Sequence, residues 1–147
     1  MQWTNGEFVL TDDRRSLDAE AITQWLSQTY WAAGRSRAVT EAAIANSICF
    51  GLFHHGRQIG FCRAVTDQVT FTWIADVIVR QDYRGRGLGK WMVQCLLEHP
   101  QLQTRSQLLG TKDAHSLYER FGFKRAEYLV RKPRELQEKV HERSPVG

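Results

Sequence analysis

The sequence predicts a mixed α/β domain, with a central, mostly antiparallel sheet flanked by helices. Residues 48–54, 58–66 and 71–79 are consecutive β-branched, aromatic and apolar runs. Only the tight-turn signals His55-Gly56-Arg57 and Asp67-Gln68 separate them, so they should pair as antiparallel neighbours. After the last of these runs a helix opens inside Arg84-Gly85-Arg86-Gly87-Leu88-Gly89-Lys90 and stops before Pro100, and the apolar Leu108-Leu109-Gly110 follows. Strands joined by one crossover helix lie parallel, so the sheet is mixed.

Taken in order, residues 7–10 make a short strand ended by Thr11-Asp12-Asp13. Ser16 or Asp18 caps a helix in which Ala21, Ile22, Trp25, Leu26 and Thr29 keep helical spacing, running to about Tyr30. Residues 30–37 are an irregular connection carrying Tyr30, Trp31, Arg35 and Arg37, which either packs on the core or lines a ligand. Thr40 caps a second helix through about Asn46. In the helix after the glycines, Leu88, Trp91, Met92, Cys95 and Leu96 recur at three- and four-residue steps and mark its buried face. Asp113 caps a short helix over residues 114–120, Gly122 supplies the left-handed residue at its end, and residues 123–132 make a last strand stopped by Pro133. The charged stretch 134–147 is weakly periodic at Leu136 and Val140 and reads as a frayed helix or disorder. The organisation is therefore one domain, residues 1–133, and a charged tail, residues 134–147.

A chain of 147 residues can bury a core without metals or disulfides. A net charge of +4 with interleaved acids suits an anionic ligand better than nucleic acid, which calls for a larger clustered excess. The cysteines, Cys49, Cys62 and Cys95, show no C-x-x-C spacing and read as buried thiols of a reducing, cytoplasmic compartment. No window approaches the ~18 apolar residues of a membrane span. The histidines show no paired metal-ligand spacing, so no metal is expected, and solvated or helix-end positions are.

The glycine junction has a chemical meaning. The first turn of a helix leaves N–H groups without partners and carries the positive end of the helix dipole. Glycines let a phosphate approach those groups, and Arg84, Arg86 and Lys90 add positive charge. A phosphate or pyrophosphate cradle is one reading; a plain turn needing positive φ is the other. The spacing fits neither G-x-x-x-x-G-K-[ST] nor G-x-G-x-x-G.

Two segments carry a resemblance. Arg84-Gly85-Arg86-Gly87-Leu88-Gly89, directly after Asp76-Val77-Ile78-Val79, matches R/Q-x-x-G-x-G/A, and residues 114–123 match A-x-x-L-Y-x-x-x-G-F. In both, and in the order of elements over residues 7–132, the sequence resembles the GNAT superfamily of N-acetyltransferases. That resemblance implies a fourth and fifth strand that splay to admit acetyl-CoA. The N–H groups of Gly85, Arg86, Gly87, Leu88, Gly89 and Lys90 would bind the CoA pyrophosphate. The main chain of Val77, Ile78 and Val79 would pair with the pantetheine arm, with the Val77 N–H near the thioester carbonyl. Tyr118 takes the general-acid position beside the leaving sulfur. Thr111 stands where the family often has a cofactor-contacting Asn, seven residues before Tyr118; it can still donate one hydrogen bond.

The base is the open position. Trp73 and Ala75 occupy the places where some relatives carry Glu or His, and neither can serve. Asp76 is the only ionisable side chain in that strand; amine binding or base duty competes with a hydrogen-bonded structural role. Strict alternation points it opposite to Val77 and Val79 unless a bulge re-aims it. Tyr30, Trp31 and Glu41 are acceptor-site candidates, because the resemblance places the helix-loop-helix at one wall of that site.

These residues predict an acetyl-CoA-dependent N-acetyltransferase in which a primary amine attacks directly in a ternary complex, since no cysteine near the motifs suits a covalent route. A non-catalytic acyl-CoA sensor and a nucleic-acid module using the basic turn are the alternatives. Tyr118 favours the enzyme, because binding alone needs no proton donor beside sulfur. Exposed apolar residues of the last strand could support a homodimer.

Overall fold

The computed structural model describes residues 1–133. One six-stranded sheet runs in chain order through β1 (Gln2–Asn5), β2 (Phe8–Thr11), β3 (Ile48–His54), β4 (Arg57–Thr66), β5 (Phe71–Val79) and β6 (Ser106–Leu109). Neighbours are antiparallel except β5 and β6, which the crossover helix makes parallel. Helices α1 (Ala19–Leu26) and α2 (Arg37–Ala45) cover one face, where Ile22, Leu26 and Ile44 meet Cys49, Phe61 and Ile78 of the sheet. Helix α3 (Leu88–Glu98) covers the other, where Leu88, Met92 and Leu96 meet Phe50, Leu52 and Ile74. A short α4 (His115–Glu119) follows β6. Burying each of these large side chains contributes about 1.5–3 kcal/mol, which makes the two faces the main source of stability.

The mixed sheet and its flanking helices follow the sequence reading, with differences that have local causes. The opening strand is a hairpin: Asn5 pairs with Phe8 across a two-residue loop that starts at Gly6, φ +59°. Helix α1 ends at Leu26, before Tyr30, because the Ser27 and Thr29 hydroxyls turn back to the carbonyls of Gln24 (2.6 Å) and Leu26 (2.7 Å). Asp18 caps it, accepting from the Ala21 N–H. Ser36, not Thr40, caps α2, accepting from the Val39 N–H at 3.2 Å. Thr111, not Asp113, holds the start of α4, accepting from the Ala114 N–H at 3.0 Å. Gly122 has φ +90°, as the helix end requires. Residues 123–132 form no strand. No described strand offers them a ladder, and Tyr128, Leu129 and Val130 stay exposed. The expectations for residues 134–147 lie outside the described residues.

One irregularity shapes the centre of the molecule. Between Phe61↔Ile78 and Arg63↔Ala75 the register slips, so that two steps along β4 face three along β5. Asp76 takes up the extra residue with φ +54°, a left-handed conformation that Asp tolerates better than most side chains. The faces exchange across this bulge: Ile74 packs on the α3 side and Ile78, four residues on, on the α1–α2 side.

Candidate functional site

Strands β5 and β6 are paired only from Phe71↔Ser106 to Ile74↔Leu109. Beyond Ile74 they part, and among the described residues no strand pairs with Val77, Ile78 and Val79 on that edge. On the opposite edge the Arg80 N–H donates to the Ile59 carbonyl at 2.7 Å. By alternation, the N–H and C=O groups of Val79 and Val77 therefore face the gap. The gap is a cleft of about 290 Å³ lined by Val77, Ile78, Val79, Gly85, Gly89 and Tyr118, among others.

The glycine turn closes one end. Gly85 and Gly87 have φ +80° and +75°, and a Cβ at either would point into open space, so the backbone there is bare to an approaching group. Gly87 is the N-cap of α3, whose first bond runs from the Trp91 N–H to the Gly87 carbonyl. The N–H groups of Leu88, Gly89 and Lys90 precede that bond and have no acceptor within the helix. Arg84 also lines the cleft, and its Nε donates to the Val79 carbonyl at 2.9 Å, tying the turn to the end of β5. Arg86 lies over the Tyr83 ring, 4.9 Å from its centre.

Tyr118 stands at the far side, between this cleft and a wider cavity of about 640 Å³ that Trp73, Thr111, His115 and Tyr128 help to line. Its ring meets Phe123 edge-on. Burial pushes the phenol up to about 12, so it holds its proton throughout the neutral range.

On the other face of β5, the buried Asp76 carboxylate is held from three directions. The Trp31 indole N–H donates to Oδ1 at 3.0 Å, and Arg35 Nη1 and Arg63 Nε both donate to Oδ2 at 2.7 Å. Burial pushes this carboxyl up, but the two guanidiniums more than offset it and hold it below the ordinary carboxylate value. The pairs fasten the connection between α1 and α2 onto the bulge. The exposed Tyr30 reaches further and accepts the Lys112 N–H at 3.0 Å, bridging that connection to the segment before α4.

Comparison with known proteins bears on this arrangement. A model of the acetyltransferase (GNAT) domain matches residues 45–125. A candidate acetyltransferase of Gibberella zeae is 31% identical over 146 residues, covering 83% of this chain and 82% of its own length. The chain belongs to the GNAT acetyltransferase family. A GNAT-family acetyltransferase candidate from Xanthomonas campestris pv. campestris has a similar structure, with TM-score 0.81 at 38% identity over 85% of this chain and 92% of that one. Glucosamine-6-phosphate N-acetyltransferase from Arabidopsis thaliana shares the fold, with TM-score 0.63 at 15% identity over 85% of this chain and 97% of that one.

For this GNAT chain, one cleft gathers Val77, Ile78, Val79, Arg84, Gly85, Gly87, Leu88, Gly89 and Tyr118. Thr111 lies on the wider cavity instead, its hydroxyl engaged at the start of α4. Glu41 accepts from Arg37 at 2.8 Å on the exposed surface of α2 and lines neither cavity. Cys49, Cys62 and Cys95 are buried, and burial pushes all three thiols up, Cys49 and Cys95 to about 11. Sequence reasoning missed Arg63 and Tyr83, and it placed Arg35 on the connection without its partner Asp76. It gave the histidines solvated or helix-end positions, which hold for the exposed His55 and for His99 at the end of α3, but it did not show their partners. His99 is buried against Asp12 at 2.9 Å, and His54 and His55 converge on Glu7.

Proposed function

We propose that this GNAT protein transfers the acetyl group of acetyl-CoA to a primary amine, which attacks directly within a ternary complex. The reading is carried by one arrangement: the unpaired edge at Val77 and Val79, the bare glycine turn and the protonated Tyr118 border the same cleft. The N–H groups of residues 85–90, with Arg86 and Lys90 near them, bind the pyrophosphate. Along Val77, Ile78 and Val79 the pantetheine arm pairs as an added strand would, through the groups of Val77 and the N–H of Val79, the Val79 carbonyl being held by Arg84. The Val77 N–H stabilises the oxyanion that forms as the amine lone pair adds to the thioester carbonyl, a contribution of roughly 3 kcal/mol in comparable sites. As the C–S bond breaks, Tyr118 gives its proton to the leaving sulfur, and water takes the proton the amine loses.

Tyr30 and Trp31, like Glu41, line neither cavity; in this reading they serve the acceptor side through the connection between α1 and α2 that Asp76 and Lys112 hold in place. Asp76, paired to two guanidiniums, is a poor proton acceptor; its role in this reading is to fix Trp31 and the bulge that precedes Val77. Buried, protonated cysteines leave no activated thiol for a covalent acetyl-enzyme.

A screen of thiol release from acetyl-CoA against amino acids, polyamines, amino sugars and peptides tests the reading. Amine-dependent release with formation of the acetylated amine is expected for at least one class. Tight binding of acetyl-CoA with no turnover on any amine would favour an acyl-CoA sensor instead.

A further inference from the structure

Glu7 lies in the loop joining β1 and β2, and His54 and His55 lie where β3 turns into β4. The pairing of Phe8 with His54 brings the two loops side by side. His54 Nε2 is 3.2 Å, and His55 Nε2 3.3 Å, from the same carboxylate oxygen, Glu7 Oε2. The donor atoms of the three residues all lie within 4.8 Å of one another. A tetrahedral zinc ion with ligand bonds of about 2.0–2.2 Å has its ligand atoms roughly 3.3–3.6 Å apart, so both nitrogen–oxygen pairs already stand close to the edge length of such a site.

The imidazoles are also oriented. The His54 ring stacks on Phe8 with centroids 4.7 Å apart, and its Nδ1 is 2.8 Å from the Tyr83 hydroxyl. When Nε2 binds a metal the proton belongs on Nδ1, and the Tyr83 hydroxyl is in place to accept it, which is how outer-shell partners set a ligating histidine. His55 has φ +49°, and this left-handed turn carries its ring to within 4.1 Å of the His54 ring centre. Glu7 and His55 are exposed, so further positions around an ion would be open to water.

We propose that Glu7, His54 and His55 form a binding site for a divalent transition-metal ion of the Zn²⁺ type, with one carboxylate oxygen and two imidazole Nε2 atoms as ligands. Two nitrogen ligands suit Zn²⁺, Co²⁺, Ni²⁺ or Cu²⁺; Ca²⁺ and Mg²⁺ prefer oxygen throughout. Coordination would fasten the ends of the two hairpins together. The site stands on these residues alone and does not depend on the acetyl-transfer reading.

The test is a calorimetric titration of the full chain, carrying no polyhistidine tag, with ZnCl₂ in a non-coordinating buffer, repeated for Glu7→Gln and His55→Asn. Both side chains are exposed, and Asn keeps a residue that accepts the left-handed turn, so metal-free thermal unfolding of the variants should match the wild type. One ion per chain is expected for the wild type, weakened at least tenfold in each variant, and Co²⁺ bound to the wild type should show d–d absorption that the variants lose at the same concentration. Absence of saturable binding at one ion per chain, or variant affinities within about twofold of the wild type, would overturn the site.

Discussion

Asp76 and Arg63 face each other across β4 and β5 with Oδ2 and Nε 2.7 Å apart, at the one place where the two strands fall out of step. The bulge that puts Asp76 in a left-handed conformation also aims its carboxylate at Arg35 and Trp31. The next residue, Val77, begins the unpaired edge of the cleft. Backbone irregularity, buried charge and site geometry are thus one feature.

Replacing Asp76 with Asn keeps a residue that tolerates φ +54° but removes the charge between two guanidiniums that are largely withdrawn from water. Breaking a buried ion pair from one side leaves uncompensated charge, so Asp76→Asn should cost about 3 kcal/mol. Urea unfolding monitored by tryptophan fluorescence measures it. A loss below about 1 kcal/mol would mean that water solvates the arginines well enough to dispense with the carboxylate.

The same pair has a defined acid limit. The folded-state pKa of Asp76 is depressed, so its contribution is fully present above the ordinary carboxylate value of 3.8 and fades as the pH falls from there toward the lowered folded value. The stability difference between wild type and Asp76→Asn should stay level from pH 7 to 5 and shrink below about pH 4. Unfolding both proteins across that range cancels the other carboxylates; a difference that grew on acidification would contradict the sign.

At Gly87, φ +75° makes any side chain strained, and the open space above it is where a phosphate would approach. Gly87→Ala should destabilise the fold by roughly 1–2 kcal/mol. In the proposed function it should also weaken acetyl-CoA binding at least tenfold by calorimetry. Gly56→Ala serves as control: it carries a similar φ of +77° in the β3–β4 turn and should leave that binding unchanged.

Thr40 is buried in α2 and, among the described residues, its Oγ1 has no hydrogen-bond partner. Thr40→Val keeps the shape and removes the orphan hydroxyl, so it should raise stability by about 1 kcal/mol. Chemical unfolding checks the direction, and a loss of stability would show that the hydroxyl is satisfied in solution.

How much of this was legible in the sequence depended on the range of the forces involved. Gly85, Gly87 and Gly122 could be read as turn and helix-end residues because positive φ is a local demand. The strands from β3 to β5 could be read because their side-chain pattern and tight turns sit side by side. Strand β1 is visible only through Asn5-Gly6, a hairpin signal with little apolar sequence before it. The bulge at Asp76 depends on Arg63 and Arg35, 13 and 41 residues away, and Glu7 meets His54 from 47 residues away; spacing along the chain reports neither. Residues 123–132 have the composition of a strand but no described strand to pair with, and composition cannot supply one.

The central claim is acetyl transfer with Tyr118 as the proton donor to sulfur, and turnover of Tyr118→Phe against an amine that the wild type acetylates tests it most directly. Phe keeps the ring against Phe123 and removes only the hydroxyl. The account predicts a kcat lower by about 100-fold or more, with KM for acetyl-CoA changed by only a few-fold. A variant that turns over as fast as the wild type would contradict it.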